Sequence, residues 1–159
     1  MRIPIGAIIV GSFAIIWTAA GASNMARRWF LLAVSSSVLI SAVIIFAAWH
    51  IQPGQPAQFN LKAYYLSVAF EAILIAIAVF ALTRTGRKFL LIPAISIIVG
   101  LHFYGMVWAL GSNEYWWIGT AMCLLPIVTM LFLPRHVWAP VVGWGCALIL
   151  WVSIIWTFF

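Results

Sequence analysis

The stretch Ala63–Leu82 reads AYYLSVAFEAILIAIAVFAL and contains one charged residue, Glu71. A helix needs roughly 20 apolar residues to cross the hydrocarbon core of a bilayer, because each residue adds about 1.5 Å along its axis. This stretch has that length, and no charged face repeats along it with the helical period. The sequence therefore predicts that Ala63–Leu82 is a transmembrane helix.

Five further stretches of similar length and composition flank it. The six predicted spans are Ile3–Ala22, Trp29–Trp49, Ala63–Leu82, Phe89–Leu110, Tyr115–Leu133 and Val137–Thr157. Together they use up most of the 159 residues, which leaves no room for a soluble domain. We therefore expect a single transmembrane domain over residues 1–159, an all-α bundle of six transmembrane helices arranged as three antiparallel hairpins.

The composition supports a lipid environment. Hydrophobic residues make up 67% of the chain and charged residues only 6%, whereas soluble domains carry about 25% charged residues to hydrate their surface. The net charge of +6 does not indicate nucleic acid as a partner, because every Lys and Arg lies at the end of a predicted span, where basic residues set topology and contact lipid headgroups. The expected partner is the lipid bilayer.

The distribution of basic residues predicts the orientation. The loops Asn24–Arg28, Thr83–Lys88 and Pro134–His136 hold six of the eight basic residues. The N-terminus and the loops Ile51–Lys62 and Gly111–Glu114 hold the other two. Because positive loops favour the cytoplasmic side, we expect a multipass protein of the cell inner membrane with both termini outside the cytoplasm.

The first span has a feature that a secretory signal would also show. Arg2 precedes an apolar run, and the run ends in the small residues Ala19–Ser23, as at a cleavage site. The apolar run is long for a signal, so we expect it to be a retained helix.

Two strongly polar side chains, Glu71 and His102, lie at mid-membrane depth. Each is eight residues from the outer end of its span, which places both about 12 Å below the outer rim. Their spans are consecutive and joined by a short loop, so they are expected to pack as an antiparallel hairpin. Because an ionisable group at this depth is costly and usually faces the bundle interior, we expect the two side chains to meet.

A carboxylate beside an imidazole can share one proton near neutral pH. We predict a proton- or ligand-binding site that is mostly apolar and suits a small hydrophobic or amphipathic ligand. The alternative is that the pair forms a hydrogen bond that only orders the bundle. The candidate site residues, chosen by helical spacing and depth, are Glu71, His102, Tyr64, Ser67, Met106, Cys123 and Trp17.

Several cofactor and catalytic sites are excluded by residue type or depth. A bis-histidine haem needs two imidazoles at one level, but His50 lies at an outer span end and His136 in a cytoplasmic turn. A catalytic zinc ion needs three protein ligands, and only two candidates lie at this depth. The sequence contains no phosphate-binding loop or nucleophile motif. We therefore expect no cofactor, no metal site and no catalytic set.

One short segment resembles a motif of small, uncharacterised multipass bacterial membrane proteins. It comprises Ile92-Pro93-Ala94-Ile95 followed by Val99-Gly100-Leu101-His102-Phe103. The resemblance covers about a dozen residues, and a proline expected after them is absent. It implies that His102 is a family feature, and it implies no activity.

Three functions stay open at this point. The leading hypothesis is a small membrane transporter or ligand-binding protein that uses Glu71 and His102 as a protonatable pair, in one chain or a homodimer. The second is a membrane enzyme acting on a lipid, sterol-like or isoprenoid substrate, with Glu71 as acid or base and Trp17 or Tyr104 stabilising a cationic intermediate. The third is a non-catalytic subunit or assembly factor. Between enzyme and non-enzyme, the sequence favours the latter.

Overall fold

The computed structural model describes residues 5–50 and 60–158, with side chains over residues 7–50 and 60–156. Of the described residues, 91% are helical and none is in a strand. They form six α-helices, and short 3-10 helices at Lys88–Leu90 and Arg135–Val137 lead into the fourth and sixth. The helices are α1 (Ile5–Ala22), α2 (Arg27–His50), α3 (Leu61–Arg84), α4 (Leu91–Leu110), α5 (Glu114–Phe132) and α6 (Trp138–Phe158). The all-α prediction is confirmed for this part of the chain.

The helix ends lie within two residues of the predicted span ends wherever both are described. The predicted start at Ile3 and most of the polar loop before α3 lie outside the described residues. By length and composition, α2 to α6 are each apolar enough to cross a membrane. The part of α1 with described side chains, Ala7–Ala22, is apolar but shorter. Five of the six predicted spans thus have helices of the required length.

Local hydrogen bonds fix where α3 begins and where α4 ends. The Asn60 side chain caps α3 by accepting a bond from the Ala63 amide at 3.2 Å, as asparagine does at helix starts. The Asn60 amide donates to the Ala109 carbonyl at 2.8 Å, which ties the start of α3 to the end of α4. Gly111 then ends α4 in the left-handed conformation, φ 66°, which glycine adopts without steric cost. The two helices are thereby held in register.

The helices pack as two compact units. One unit contains α1, α2 and α6 from Ala139 onward, and the other contains α3, α4 and α5. Within the units, α1 packs on α2 and α3 packs on α4, as two of the predicted hairpins require, and α4 also packs on α5. The third predicted hairpin, α5 with α6, and the single domain over residues 1–159 stay predictions.

Small residues let the backbones approach closely in the first unit. A Cβ atom added at Gly143 of α6 would lie 2.5 Å from the Cα atom of Gly21 in α1, so only glycine fits there. Ser41 of α2 donates to the Gly11 carbonyl at 3.1 Å and accepts from the Trp151 indole at 3.0 Å. One buried hydroxyl thus joins α1, α2 and α6.

The second unit uses the same kind of contact between α4 and α5. A Cβ atom added at Gly100 would lie 2.6 Å from the Cys123 sulfur and 2.9 Å from the Gly119 carbonyl oxygen. The buried Ser96 hydroxyl donates to the Met122 carbonyl at 2.8 Å. Such close backbone contacts and interhelical hydrogen bonds are how apolar helices associate in lipid.

Large apolar side chains cover much of the outer surface. Helix α3 has no fully buried residue over its span, and its outward face carries Leu66, Phe70 and Phe80, each more than half exposed. Trp108, Trp117 and Phe132 are also at least three-quarters exposed. Soluble monomers rarely expose so many large apolar side chains, and such surface indicates contact with lipid or protein.

The α4–α5 contact makes a prediction about Gly100. Replacing Gly100 with alanine places a methyl group against the Gly119 backbone, which cannot move aside as a flexible side chain would. We expect the free energy of unfolding to fall by about 1–3 kcal/mol, the usual cost of overpacking, measured by denaturant titration in detergent. Leu101→Ala is the control, because Leu101 is 47% exposed and lies outside this contact. Equal stability of Gly100→Ala and the unmodified protein would contradict the prediction.

Candidate functional site

Helices α3 and α4 bring Glu71 and His102 together. The Glu71 Oε2 atom lies 3.3 Å from the His102 Nδ1 atom. The side chains are 14% and 8% exposed, respectively, so water has little access to either group. The proximity predicted from equal depth on consecutive spans is confirmed.

Ser67 is the third member of this polar group. It lies four residues before Glu71, on the same face of α3. Its hydroxyl is 3.0 Å from the His102 Nδ1 atom and 3.1 Å from the His102 carbonyl oxygen. Two residues of α3 therefore converge on one ring nitrogen of α4.

The geometry accommodates a proton on either side of the pair. With the proton on Nδ1, the imidazole donates towards Glu71 Oε2 and Ser67 Oγ, while the Ser67 hydroxyl donates to the His102 carbonyl. With the proton on Glu71, the carboxyl donates to Nδ1, and the Ser67 hydroxyl keeps its bond to the carbonyl. Because the Ser67 hydroxyl has only one proton to donate, the second state keeps its hydrogen bond to the His102 carbonyl but leaves no hydrogen between Ser67 Oγ and Nδ1. Moving the proton from His102 to Glu71 therefore costs one hydrogen bond of Ser67.

Gly105 is the residue that lets Ser67 reach the backbone of α4. It lies one turn after His102, and a Cβ atom placed there would overlap the Ser67 side chain. The sequence interpretation did not identify this residue. The signal was present, because Gly105 has the i+3 spacing that puts it on the His102 face.

Within the described residues, His102 is the one polar group in contact with the Glu71 carboxylate. A carboxylate has two oxygens and about four acceptor positions, so Glu71 can accept further bonds from a ligand. No group of three or more His, Cys, Asp or Glu side chains that could hold a metal ion occurs among these residues.

Tyr64 and Met106 extend the site along the two helices. Tyr64 is half-buried one turn before Ser67 and contacts the Tyr65 ring edge-on, with centroids 5.8 Å apart. Met106 is half-buried one turn after His102. Both therefore lie along the α3 and α4 faces that carry the pair. The cavity expected between them stays a prediction.

Two other predicted site residues, Cys123 and Trp17, belong to other helices. Cys123 of α5 packs against the α4 face that carries Ile97 and Gly100, with its sulfur 3.6 Å from the Ile97 carbonyl. On a helix with 3.6 residues per turn this face differs from the His102 face. Trp17 belongs to α1 in the other unit, where it is 5% exposed. Their part in a common site with Glu71 stays a prediction.

Tyr104, named above for an enzyme, has a different partner. Its hydroxyl lies 2.8 Å from the Thr120 hydroxyl of α5, and its ring packs on Trp116 with centroids 4.9 Å apart. The Thr120 hydroxyl in turn donates to the Trp116 carbonyl at 2.8 Å. Tyr104 thus helps to hold α4 on α5.

Comparison with known proteins adds no assignment. No family model matches the chain, and no match is found among curated proteins or solved structures. The functional argument therefore depends on the geometry of the polar group itself.

The packing of Ser67 on Gly105 can be tested by exchanging the two residues. Gly105→Ala alone should lower the free energy of unfolding by about 1–3 kcal/mol, because the new methyl group overlaps Ser67. Adding Ser67→Gly removes the side chain that the new methyl group overlaps. The double variant should therefore regain most of the lost stability. The measurement is a double-mutant cycle from denaturant titrations. Additive effects of the two substitutions would show that the contact does not hold the helices.

Proposed function

We propose that the chain is an integral membrane protein whose six helices cross the cell inner membrane as one bundle. The support is the apolar character of α2 to α6 together with the exposed aromatic and aliphatic side chains on their outer faces. In water this surface would drive aggregation. In lipid this surface needs no cover, because an α-helix pairs its backbone polar groups within itself.

We infer that both termini lie outside the cytoplasm. The support is the excess of Arg and Lys in the loops after the first, third and fifth helices. Arg84 and Arg135 stack on neighbouring Phe rings at 5.1 and 5.0 Å, an arrangement that suits residues anchored at a membrane interface.

We propose that the protein is a small membrane transporter or ligand-binding protein in which Glu71 and His102 act as a protonatable pair. The observation that carries the proposal is the position of the His102 Nδ1 atom, 3.3 Å from Glu71 Oε2 and 3.0 Å from Ser67 Oγ. A carboxylate at membrane depth without such a partner would be costly. With it, the pair can hold a proton or, through the remaining oxygen of Glu71, a cation.

The ligand class that fits is a small amphipathic cation. The anionic form of Glu71 attracts its charge, while the surrounding helix faces are apolar apart from Tyr64 and Ser67. When the pair takes up a further proton, Glu71 becomes neutral and no longer attracts the cation. Proton and ligand therefore compete for one site, the requirement for exchange of one against the other.

The orientation predicts which loops react from each side of the membrane. In a variant whose two cysteines, Cys123 and Cys146, are replaced by alanine, Thr85→Cys should react with an impermeant maleimide only after the cells are opened. Asn113→Cys should react in intact cells. Both positions are exposed loop or cap residues, so accessibility depends on the side of the membrane. Reaction of Thr85→Cys in intact cells would show that the orientation is the opposite of the one inferred.

The protonatable pair predicts the effect of Glu71→Gln. Glutamine keeps the size and hydrogen-bonding ability of glutamate but cannot ionise, so folding should be preserved. Hydrogen bonds between membrane helices average only about 0.6 kcal/mol, and the stability change should be of that order. Binding or flux of a lipophilic cation such as tetraphenylphosphonium in vesicles should fall with decreasing pH in the unmodified protein. In Glu71→Gln, it should be weak and independent of pH.

Glu114→Gln is the matched control, because Glu114 is the other carboxylate of the chain and begins α5 away from the pair. It should keep the pH profile of the unmodified protein. Identical pH profiles for Glu71→Gln and the unmodified protein would show that ionisation of Glu71 plays no part in binding or transport. The pair would then be a packing device, and Glu71→Leu should lower the melting temperature.

A further inference from the structure

An apolar groove runs along α2 and α6 in the unit that also contains α1. Its deeper part has a volume of about 370 Å³ and reaches Thr18 and Trp151. Its wider part, about 670 Å³, opens towards Met25 and Trp29. Ala33, Ser36 and Trp144 line both parts, so the two form one continuous groove.

The groove runs lengthwise along α2. Its lining on that helix extends from Trp29 to Ile40, twelve residues and roughly 16 Å of helix. The lining is almost entirely hydrocarbon or aromatic, and Leu32 and Leu148 on its sides are 60% and 58% exposed. A surface of this shape fits a flexible hydrocarbon chain laid parallel to the helices.

Positive charge lies at one end of the groove. Arg27 and Arg28 are the first residues of α2, and the Arg28 guanidinium lies 5.5 Å from the ring centre of Trp29, which lines the wide part. The chain has two carboxylates, Glu71 and Glu114, and both belong to the other unit. Their own unit therefore contains no Asp or Glu side chain to pair with the two guanidiniums, which leaves them able to pair with an external anion.

We propose that this groove binds one anionic phospholipid of the surrounding membrane. An acyl chain occupies the apolar groove beside Ser36 and Trp144, and the phosphate lies at Arg27 and Arg28. Guanidinium groups bind phosphate through paired N–H donors, and the first amides of α2 add the positive end of the helix dipole. A soluble anion would use the charges but leave the groove empty, whereas a phospholipid uses both.

The proposal is tested by native mass spectrometry of the purified protein released from detergent, with dioleoyl phosphatidylglycerol and dioleoyl phosphatidylcholine as probes. The unmodified protein should bind phosphatidylglycerol more tightly than phosphatidylcholine. Arg27→Gln with Arg28→Gln should weaken phosphatidylglycerol binding on the order of tenfold. Arg87→Gln with Lys88→Gln removes the same charge from another basic loop and should leave the affinity within about twofold.

The groove itself is tested with two neighbouring serines. Ser36→Phe fills the groove where its two parts meet and should weaken binding of both lipids on the order of tenfold, as expected when an acyl chain loses its apolar contact. Ser35 is exposed and does not line the groove, so Ser35→Phe should bind as the unmodified protein does. Ser36 is also exposed; if Ser36→Phe does not fold, Ser36→Leu takes its place.

Four results would overturn the proposal. Unchanged phosphatidylglycerol affinity in the Arg27/Arg28 variant would show that these two charges do not contribute to lipid binding. An equal loss of phosphatidylglycerol affinity in the Arg87/Lys88 variant would show that binding depends on the net charge of the protein and not on the position of the charges. Equal behaviour of Ser35→Phe and Ser36→Phe, or displacement of the lipid by inorganic phosphate alone, would show that the groove does not hold an acyl chain.

Discussion

Helix backbones in this chain meet where side chains are smallest, and the rest of the structure depends on that close approach. Glycine faces glycine at Gly21 and Gly143 in one unit and at Gly100 and Gly119 in the other. With apolar side chains on every face, the hydrophobic effect does not distinguish one face of a helix from another in lipid. Van der Waals contact between close backbones and a few interhelical hydrogen bonds then decide which faces meet. Beside the Glu71–His102 pair, Gly105 leaves the space on α4 that the Ser67 side chain occupies.

The helices could be predicted from the sequence because the length of each apolar run and the basic residues between the runs mark the same boundaries. An apolar run must be about 20 residues long to span a membrane, and basic or turn-forming residues interrupt the chain at that interval. The ends of α3 and α4 therefore fell within two residues of the predicted spans. Depth could be predicted for the same reason, since counting residues from a span end fixes height along the helix axis. Counting in this way predicts that Glu71 and His102 lie at the same height on their helices.

Rotation about the helix axis could not be predicted from the same pattern. In a soluble helix the polar face marks the outside, but here the outward face of α3 is apolar, and the face it packs on α4 is marked by the single polar side chains of Ser67 and Glu71. Cys123 has the right depth for the Glu71 site, yet it packs against Gly100 and Ile97 on a different face of α4. The grouping of α6 with α1 and α2 was likewise invisible to hydropathy. The sequence feature that indicates this grouping is the pair of glycines, Gly21 and Gly143, where α1 and α6 meet. A hydropathy profile does not detect such a pair.

Both units use the same device, a serine hydroxyl that bridges a ring nitrogen and a backbone carbonyl of neighbouring helices. Ser41 joins the Trp151 indole at 3.0 Å to the Gly11 carbonyl at 3.1 Å, and Ser67 joins the His102 imidazole at 3.0 Å to the His102 carbonyl at 3.1 Å. The chemical difference lies in the ring. An indole N–H only donates, whereas an imidazole gains and loses a proton near neutral pH. Glu71 stands beside the imidazole at 3.3 Å, while the unit of Ser41 contains no carboxylate. A packing contact can therefore become a proton-handling site through two changes, an ionisable ring and a carboxylate within its reach. For this reason the proposed protonatable site lies in the second unit, whereas the serine bridge of the first unit joins helices.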